Sequence, residues 1–242
     1  MMCGITGLIN LNNAPVSPVV LKHMTDTISH RGPDGEGHWI EGNVGIGHRR
    51  LAIVDLSPAG YQPMMSTNER YILSFNGEIY NYRELRTELQ SIGYWFKSNT
   101  DSEVALCAFE YWGIKAFLKF NGMFALAIWD RKEKKLFLAR DRYGIKPLYY
   151  AQQGNCFSFG SEQKAITSQL TLKRTLNKPA LLEYLTFQNI LTSQTLLEDV
   201  QLLPAGCYAE FSPVSKLFKI TQYWDYRFRE PDDRASKAEY IE

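Results

Sequence analysis

The sequence predicts an α+β sandwich, and three observations carry that expectation. Short β-rich runs, separated by glycines and polar turns, recur along most of the 242 residues. Only a few segments have helical periodicity, and they interrupt runs of strands instead of alternating with them, which disfavours βαβ winding. No strand leads into a GxGxxG or GxxxxGK[ST] loop, so nothing signals a doubly wound nucleotide-binding sheet.

GITGLIN, beginning at Gly4, reads as the first strand. Ser17 and Pro18 supply an N-cap and a first helical residue, after which Leu21, Met24 and Ile28 recur at helical spacing. GHWIEG, VGIGHRR and LAIVDL read as short strands. YILSFNGEIYNY reads as a strand over Tyr71 to Phe75 followed by a turn at Asn76 and Gly77. The next helix takes Asn81 as N-cap and Glu84 in the capping-box position, presents Leu85, Leu89 and Ile92 on one face, and stops at Gly93. Another runs from about Ser102 to Trp112, with Asp101 placed to cap it and Gly113 to close it. MFALAIWD and KLFLARD flank the polar RKEK tip as a hairpin, and PLYYAQ and CFSFGS continue the antiparallel pattern. ALLEYLTFQ, after Asn177 and Pro179, reads as a last helix; GCYAEF and KLFKITQYW add late strands. Asp225 to Glu242 is rich in charge and poor in apolar residues, and reads as a tail or linker.

Composition sets partner classes aside. Apolar residues at 45% and charged residues at 22% are ordinary for a soluble globular enzyme. Twenty-seven basic against 26 acidic residues leave +1, so no bulk field draws the chain to nucleic acid or to an anionic membrane. The N-terminal region lacks a basic stretch followed by an apolar one, and no segment approaches the roughly 18 apolar residues that span a bilayer. The expected location is the cytoplasm. Cys3, Cys107, Cys156 and Cys207 form no CxxC pair, and His23, His30, His38 and His48 have no metal-ligand spacing, so no metal site is expected.

Six motifs follow in order: CGITG at Cys3, HRGPD at His30 to Asp34, HRRLAIVD at His48 to Asp55, NGEIYN at Asn76 to Asn81, TDSE at Thr100 to Glu103, and RDRYGIKPLYY at Arg140 to Tyr150. Together they resemble the glutaminase domain of glutamine-hydrolysing asparagine synthetase, a class II glutamine amidotransferase. The resemblance extends from Cys3 to about Trp224 and includes FGSEQKAI and LLPAGCYAEF. It implies the N-terminal-nucleophile hydrolase fold, a four-layer αββα sandwich of two mostly antiparallel sheets, with residues 3–224 as the glutaminase domain and 225–242 as a charged tail or linker.

A thiol titrating near about 8.5 is mostly protonated at neutral pH, whereas an α-amine titrating near about 7.7 to 8 can take its proton. If Cys3 were the first residue it would hold both groups. The resemblance implies that its thiolate attacks the carboxamide of glutamine, releasing ammonia, and that water cleaves the γ-glutamyl thioester. It assigns the oxyanion hole to the Asn76 side chain and the Gly77 N–H. Arg50 suits the substrate carboxylate, because a guanidinium grips a carboxylate with two hydrogen bonds; Asp101 suits the ammonium, and Glu78 stands beside the oxyanion hole where it could hold the amine or the leaving amide. Arg49 is the neighbour that strand alternation would turn the other way. HRGPD and RDRYGIKPLYY are read as shaping the site without reacting.

The chain departs from the pattern at both ends. It begins Met-Met-Cys, and with Met1 and Met2 retained the Cys3 nitrogen is an amide; a non-catalytic glutamine-binding module is then the alternative. No SGGxDS-like loop occurs by residue 242, so ATP and Mg are expected only in a synthetase domain outside this stretch, with no cofactor needed here. That domain or subunit is the expected partner, converting aspartate to asparagine, with another ammonia acceptor as the alternative and a homodimer as a family expectation. Tyr184 to Phe187 and Tyr223 to Tyr226 are candidates for a partner surface or for core packing.

Overall fold

The computed structural model describes residues 2–53, 55–169 and 174–226. The chain runs through β1 (Gly4–Asn10), α1 (Pro18–Asp26), β2 (Gly35–Glu41), β3 (Val44–Arg50), β4 (Met64–Met65) and β5 (Tyr71–Ile79). It continues through α2 (Tyr82–Ser91), α3 (Asp101–Trp112), α4 (Ala116–Lys119), β6 (Gly122–Asp130), β7 (Lys135–Arg140), β8 (Tyr149–Gln153) and β9 (Cys156–Gly160). Then come α5 (Gln163–Thr167), α6 (Lys178–Phe187), β10 (Val200–Leu202), β11 (Cys207–Ser212) and β12 (Leu217–Gln222). Among the described residues these strands form two six-stranded sheets, ordered β10-β8-β9-β1-β3-β2 and β12-β11-β7-β6-β5-β4. Every ladder in them is antiparallel.

Strand alternation sorts the side chains into layers. Ile5, Ile9, Val44 and Ile46 of the first sheet meet Ile72, Ala125, Ala127, Leu136 and Leu138 of the second in the central core. The opposite face of the second sheet, with Leu73, Phe75, Leu126 and Ile128, packs on Leu85 and Leu89 of α2, Val104 and Phe109 of α3, and Phe117 of α4. On the outer face of the first sheet Leu8 packs with Leu21 and Met24 of α1, and Ala151 packs with Ile166 of α5. The result is helix, sheet, sheet, helix, as expected. Among the described residues no helix is long and apolar enough to cross a membrane.

The same parity positions the site. Cys3 lies in the inward register of Ile5 and Ile9, Arg50 in that of Val44 and Ile46, and Asn76 and Glu78 in that of Ile72. These residues therefore converge where the central core opens at one end of the sandwich.

Several local expectations are corrected. Asn76 and Gly77 do not turn; β5 runs straight through them, paired residue for residue with β6 as far as Ile79 opposite Gly122. That long pairing outweighs the turn preference of an Asn-Gly pair. Of LAIVDL, the described residues 51–53, 55 and 56 belong to no strand: after Arg50 the chain leaves the sheet, and residues 51–53 and 55 wall the pocket, while Val54 lies outside the described residues. Asp101 is the first residue of α3 and not its cap; Thr100 caps it, accepting the Glu103 N–H at 3.2 Å. Asn81 flanks α2 but makes no side-chain cap, because its amide binds Lys119 O and Asn121 N–H. Ile28 falls beyond α1, and Ile92 is exposed at the end of α2. The short β4, α4, α5 and β10 were not signalled by the sequence. Of the partner-surface candidates, Tyr184, Leu185, Phe187 and Tyr226 are exposed, whereas Tyr223 packs on the helix-side core. The charged tail lies outside the described residues from position 227 onward.

Candidate active site

A pocket of about 140 Å³ is lined by Cys3, Arg50, Asn76, Gly77, Glu78 and Asp101, so the six residues singled out from the sequence share one cavity. Its floor is the outer edge of β5. Along this edge the odd-numbered residues turn their backbone groups away from β6. Leu73 pairs with Met64, where β4 ends. Two side chains then replace the missing strand: Gln62 Oε1 accepts the Phe75 N–H at 2.6 Å, and His48 Nε2 donates to Phe75 O at 3.1 Å. Further on, Asp101 Oδ2 accepts the Ile79 N–H at 3.0 Å.

Gly77 lies between them. Its partner across β6, Phe124, directs its own backbone to Asp141: the Phe124 N–H donates to Oδ2 at 3.1 Å and Phe124 O accepts the Asp141 N–H at 2.8 Å. Gly77 and Phe124 are thus a non-hydrogen-bonded pair, and the Gly77 N–H points into the pocket. A side chain here would collide, since a Cβ would lie 2.3 Å from Met123 O. Asn76 is 1% exposed and its Nδ2 has no partner among the described residues. Buried donors are nearly always satisfied, so two unfilled ones side by side mark a place for an anionic or carbonyl oxygen.

Arg50 is 6% exposed, with its guanidinium on Asp55 O and over the Tyr61 ring at 4.8 Å. Gly60 leaves it room: a Cβ there would lie 2.5 Å from Nη2. No carboxylate lies within ion-pair distance among the described residues, whereas Arg49 points the other way and pairs with Asp26 and with Glu36 at 2.9 Å. A buried, unpaired guanidinium awaits an anion. Across the pocket, burial, reinforced by the charge of Glu78, pushes the Asp101 carboxyl up to about 6. A bound ammonium would reverse that shift. The cation and the carboxyl together suit an α-amino acid zwitterion.

Cys3 is held at its sulfur and at its carbonyl. Its Sγ accepts the Leu51 N–H at 3.3 Å, its carbonyl accepts from Arg31 Nε at 2.9 Å, and Arg31 is in turn held by Glu162 at 3.0 Å. Burial raises the thiol's pKa, opposed by the Leu51 N–H and by the charges of Arg50 and Arg31. Met2 lines the same pocket, with its N–H on Arg31 O at 3.2 Å.

Sequence reasoning missed Gln62 and Lys146. HRGPD supplies Arg31, as a support for the Cys3 backbone. Within RDRYGIKPLYY, Asp141 organises the loop, accepting N–H bonds from Phe124, Tyr143, Ile145 and Lys146. That loop also delivers the Lys146 side chain to the pocket wall. No signal in a single sequence identifies either residue: Gln62 is placed by Phe75 and Ser102, and Lys146 by a loop folded around Asp141, which is itself oriented by Phe124 of β6.

The glutamine amidotransferase domain family model matches residues 2–224. Asparagine synthetase [glutamine-hydrolyzing] 3 of Bacillus subtilis is 42% identical over 185 residues, 75% of this chain and 30% of that protein. Asparagine synthetase [glutamine-hydrolyzing] 1 of the same organism is 38% identical over 216 residues, 88% of this chain and 34% of that protein. The chain thus spans about a third of the length of these relatives. Among solved structures, the glutamine phosphoribosylpyrophosphate amidotransferase from B. subtilis, complexed with ADP and GMP, matches with a TM-score of 0.69. It is 17% identical, over 92% of this chain and 49% of that one, a likeness of fold.

Proposed function

Because the chain belongs to the glutamine amidotransferase domain family, we propose that it hydrolyses glutamine to glutamate and ammonia through a thioester on Cys3. The ammonia would serve amide synthesis, aspartate to asparagine, by an ATP-dependent synthetase domain or subunit. The names of the relatives support that acceptor. The observation that carries the reading is the pair of unfilled donors, Asn76 Nδ2 and the Gly77 N–H, in one pocket with a cysteine, an unpaired arginine and a buried aspartate.

Arg50 holds the glutamine carboxylate and Asp101 its ammonium, with Glu78 beside the leaving amide. The Cys3 α-amine, freed when the residues before it are removed, takes the thiol proton. Sulfur adds to the carboxamide carbon, and the oxyanion forms between Asn76 and Gly77. Collapse breaks the C–N bond, and the proton held by the amine leaves with the nitrogen as ammonia. Water, deprotonated by the same amine, adds to the thioester and displaces the thiol, giving glutamate.

Ammonia and glutamate release should be compared for the chain beginning at Cys3, the chain retaining Met2, and Cys3→Ala. The first should turn over and Cys3→Ala should not. Retaining Met2 turns the base into an amide and should cost about 10²- to 10⁴-fold. Equal rates for the Cys3 chain and Cys3→Ala would end the proposal. Glutamine binding without turnover in the Cys3 chain would favour a binding module instead.

A further inference from the structure

Lys146 is a buried cation that the mechanism above leaves unused. It is 5% exposed, it lines the pocket with Cys3, and among the described residues no carboxylate lies within ion-pair distance of it. Its Nζ rests instead on the thioether of Met2, the residue before Cys3, 2.7 Å from Sδ. A thioether is a weak acceptor and does not repay the burial of an ammonium. The placement is nevertheless enforced: the Lys146 N–H is bound by Asp141 Oδ2 at 2.9 Å, and its carbonyl accepts from Arg140 Nε at 2.9 Å.

The charged groups around Cys3 come from every side. Arg31 precedes β2, Arg50 ends β3, Glu78 lies in β5, Asp101 opens α3, Asp141 and Lys146 belong to the loop after β7, and Glu162 precedes α5. Most are committed. Arg31 binds Glu162 and Cys3 O, Asp101 binds the Ile79 N–H, and Asp141 is saturated by backbone N–H groups. Arg50 faces the proposed substrate carboxylate. Lys146 has no such commitment once Met2 is gone.

We propose that Lys146 is a positioning residue for Cys3: its ammonium holds the thiol toward thiolate and a free Cys3 amine toward its neutral, basic form. Both effects have the same origin, since a cation favours a nearby anion and disfavours a nearby cation. The first opposes the burial that raises the thiol's pKa. Burial, and then the charge of Arg31, lower the pKa of Lys146 itself, against the opposing charges of Asp141, Cys3 and Glu78. The amine half of this inference rests on the function proposed above; the thiol half does not.

The test is the pH dependence of Cys3 alkylation by iodoacetamide, read by peptide mass, beside the pH profile of ammonia release, on the full chain beginning at Cys3. Lys146→Gln should move the alkylation inflection up by about one pH unit and raise the acid limb of turnover with it. Lys146→Arg, which keeps the charge, should restore both. If the Gln variant fails to fold, Lys146→Met keeps the apolar stem and carries the same readout. An unmoved inflection in the neutral variant overturns the inference, even where activity falls uniformly across pH. Alkylation needs no turnover, so the expected shift in a chain that releases no ammonia would sink only the proposed function, and turnover with no shift would sink only this one.

Discussion

The two halves of the outer edge of β5 make opposite use of the same backbone. From Tyr71 to Phe75 the edge is closed: Ser66 takes both polar groups of Tyr71 at 2.9 Å, Met64 pairs with Leu73, and Gln62 with His48 covers Phe75. At Gly77 the edge is open, and Asn76 beside it holds a second unmet donor. Leaving a buried polar group unsatisfied costs about 1 to 3 kcal/mol. The sandwich accepts that cost where a substrate oxygen can relieve it and avoids it one residue pair away. The contrast teaches that the site is a deliberate interruption of sheet pairing at the mouth of the central core.

The largest test removes an open donor. Asn76→Ala should lower kcat by about 10²- to 10³-fold, as loss of an oxyanion donor does. It should leave the unfolding midpoint unchanged or higher, because Nδ2 has no partner to lose. Steady-state kinetics and urea unfolding on the same protein check both, and an unchanged kcat would place the oxyanion elsewhere.

Asp101 sharpens the comparison through pH. Its carboxyl keeps a proton up to about 6 in the folded chain, whereas an unfolded one ionises near about 3.9. Between those values the folded state binds more protons, so stability falls as pH rises, by on the order of 2 to 3 kcal/mol at neutral pH. Asp101→Asn should recover that amount at pH 7.5 and almost none at pH 4, while raising the glutamine KM about 100-fold through loss of the ammonium's partner. His48, on the closed half, has the opposite sign. Burial holds its imidazole down to about 4, against about 6.5 unfolded, so its contribution is present above about 6.5 and lost as pH falls toward 4. In wild type the two slopes offset one another. In Asp101→Asn stability should climb steadily from pH 4 to 6.5, and thermal unfolding across that range reads it directly; a flat profile in this variant would contradict the assignment for His48.

Alternation made much of this legible from the sequence. Arg50 facing inward and Arg49 outward follows from one register, and the hairpin of β6 and β7 follows from its polar tip. Asn76 and Gly77 misled as a turn because local preference cannot register nine paired residues on a strand far along the chain. LAIVDL misled because Leu51, Ala52 and Ile53 wall a pocket and belong to no strand. Lys146 was hidden for a related reason: its direction is set by Asp141, whose own orientation depends on β6. Gln62 gave no signal at all, since both groups it joins lie outside its segment.

Gln62 offers the smallest and most local test. Its amide spans the closed half and α3, accepting from Phe75 N–H while Nε2 donates to Ser102 Oγ at 3.2 Å, beside Asp101. Gln62→Leu leaves the Phe75 N–H unmet and should cost about 1 to 3 kcal/mol. Gln62→Glu should cost less, because a carboxylate still accepts from Phe75 and the Ser102 hydroxyl can turn to donate to it. If closure of this half also aims the Gly77 N–H, kcat should follow the same order, Leu below Glu below wild type, with KM less affected than in Asp101→Asn. Equal stability of the Leu and Glu variants would show that the edge at Phe75 does not depend on this side chain. A kcat loss in the Glu variant as large as in the Leu variant would mean that the neutral amide, and not the bond to Phe75, is what the open half requires.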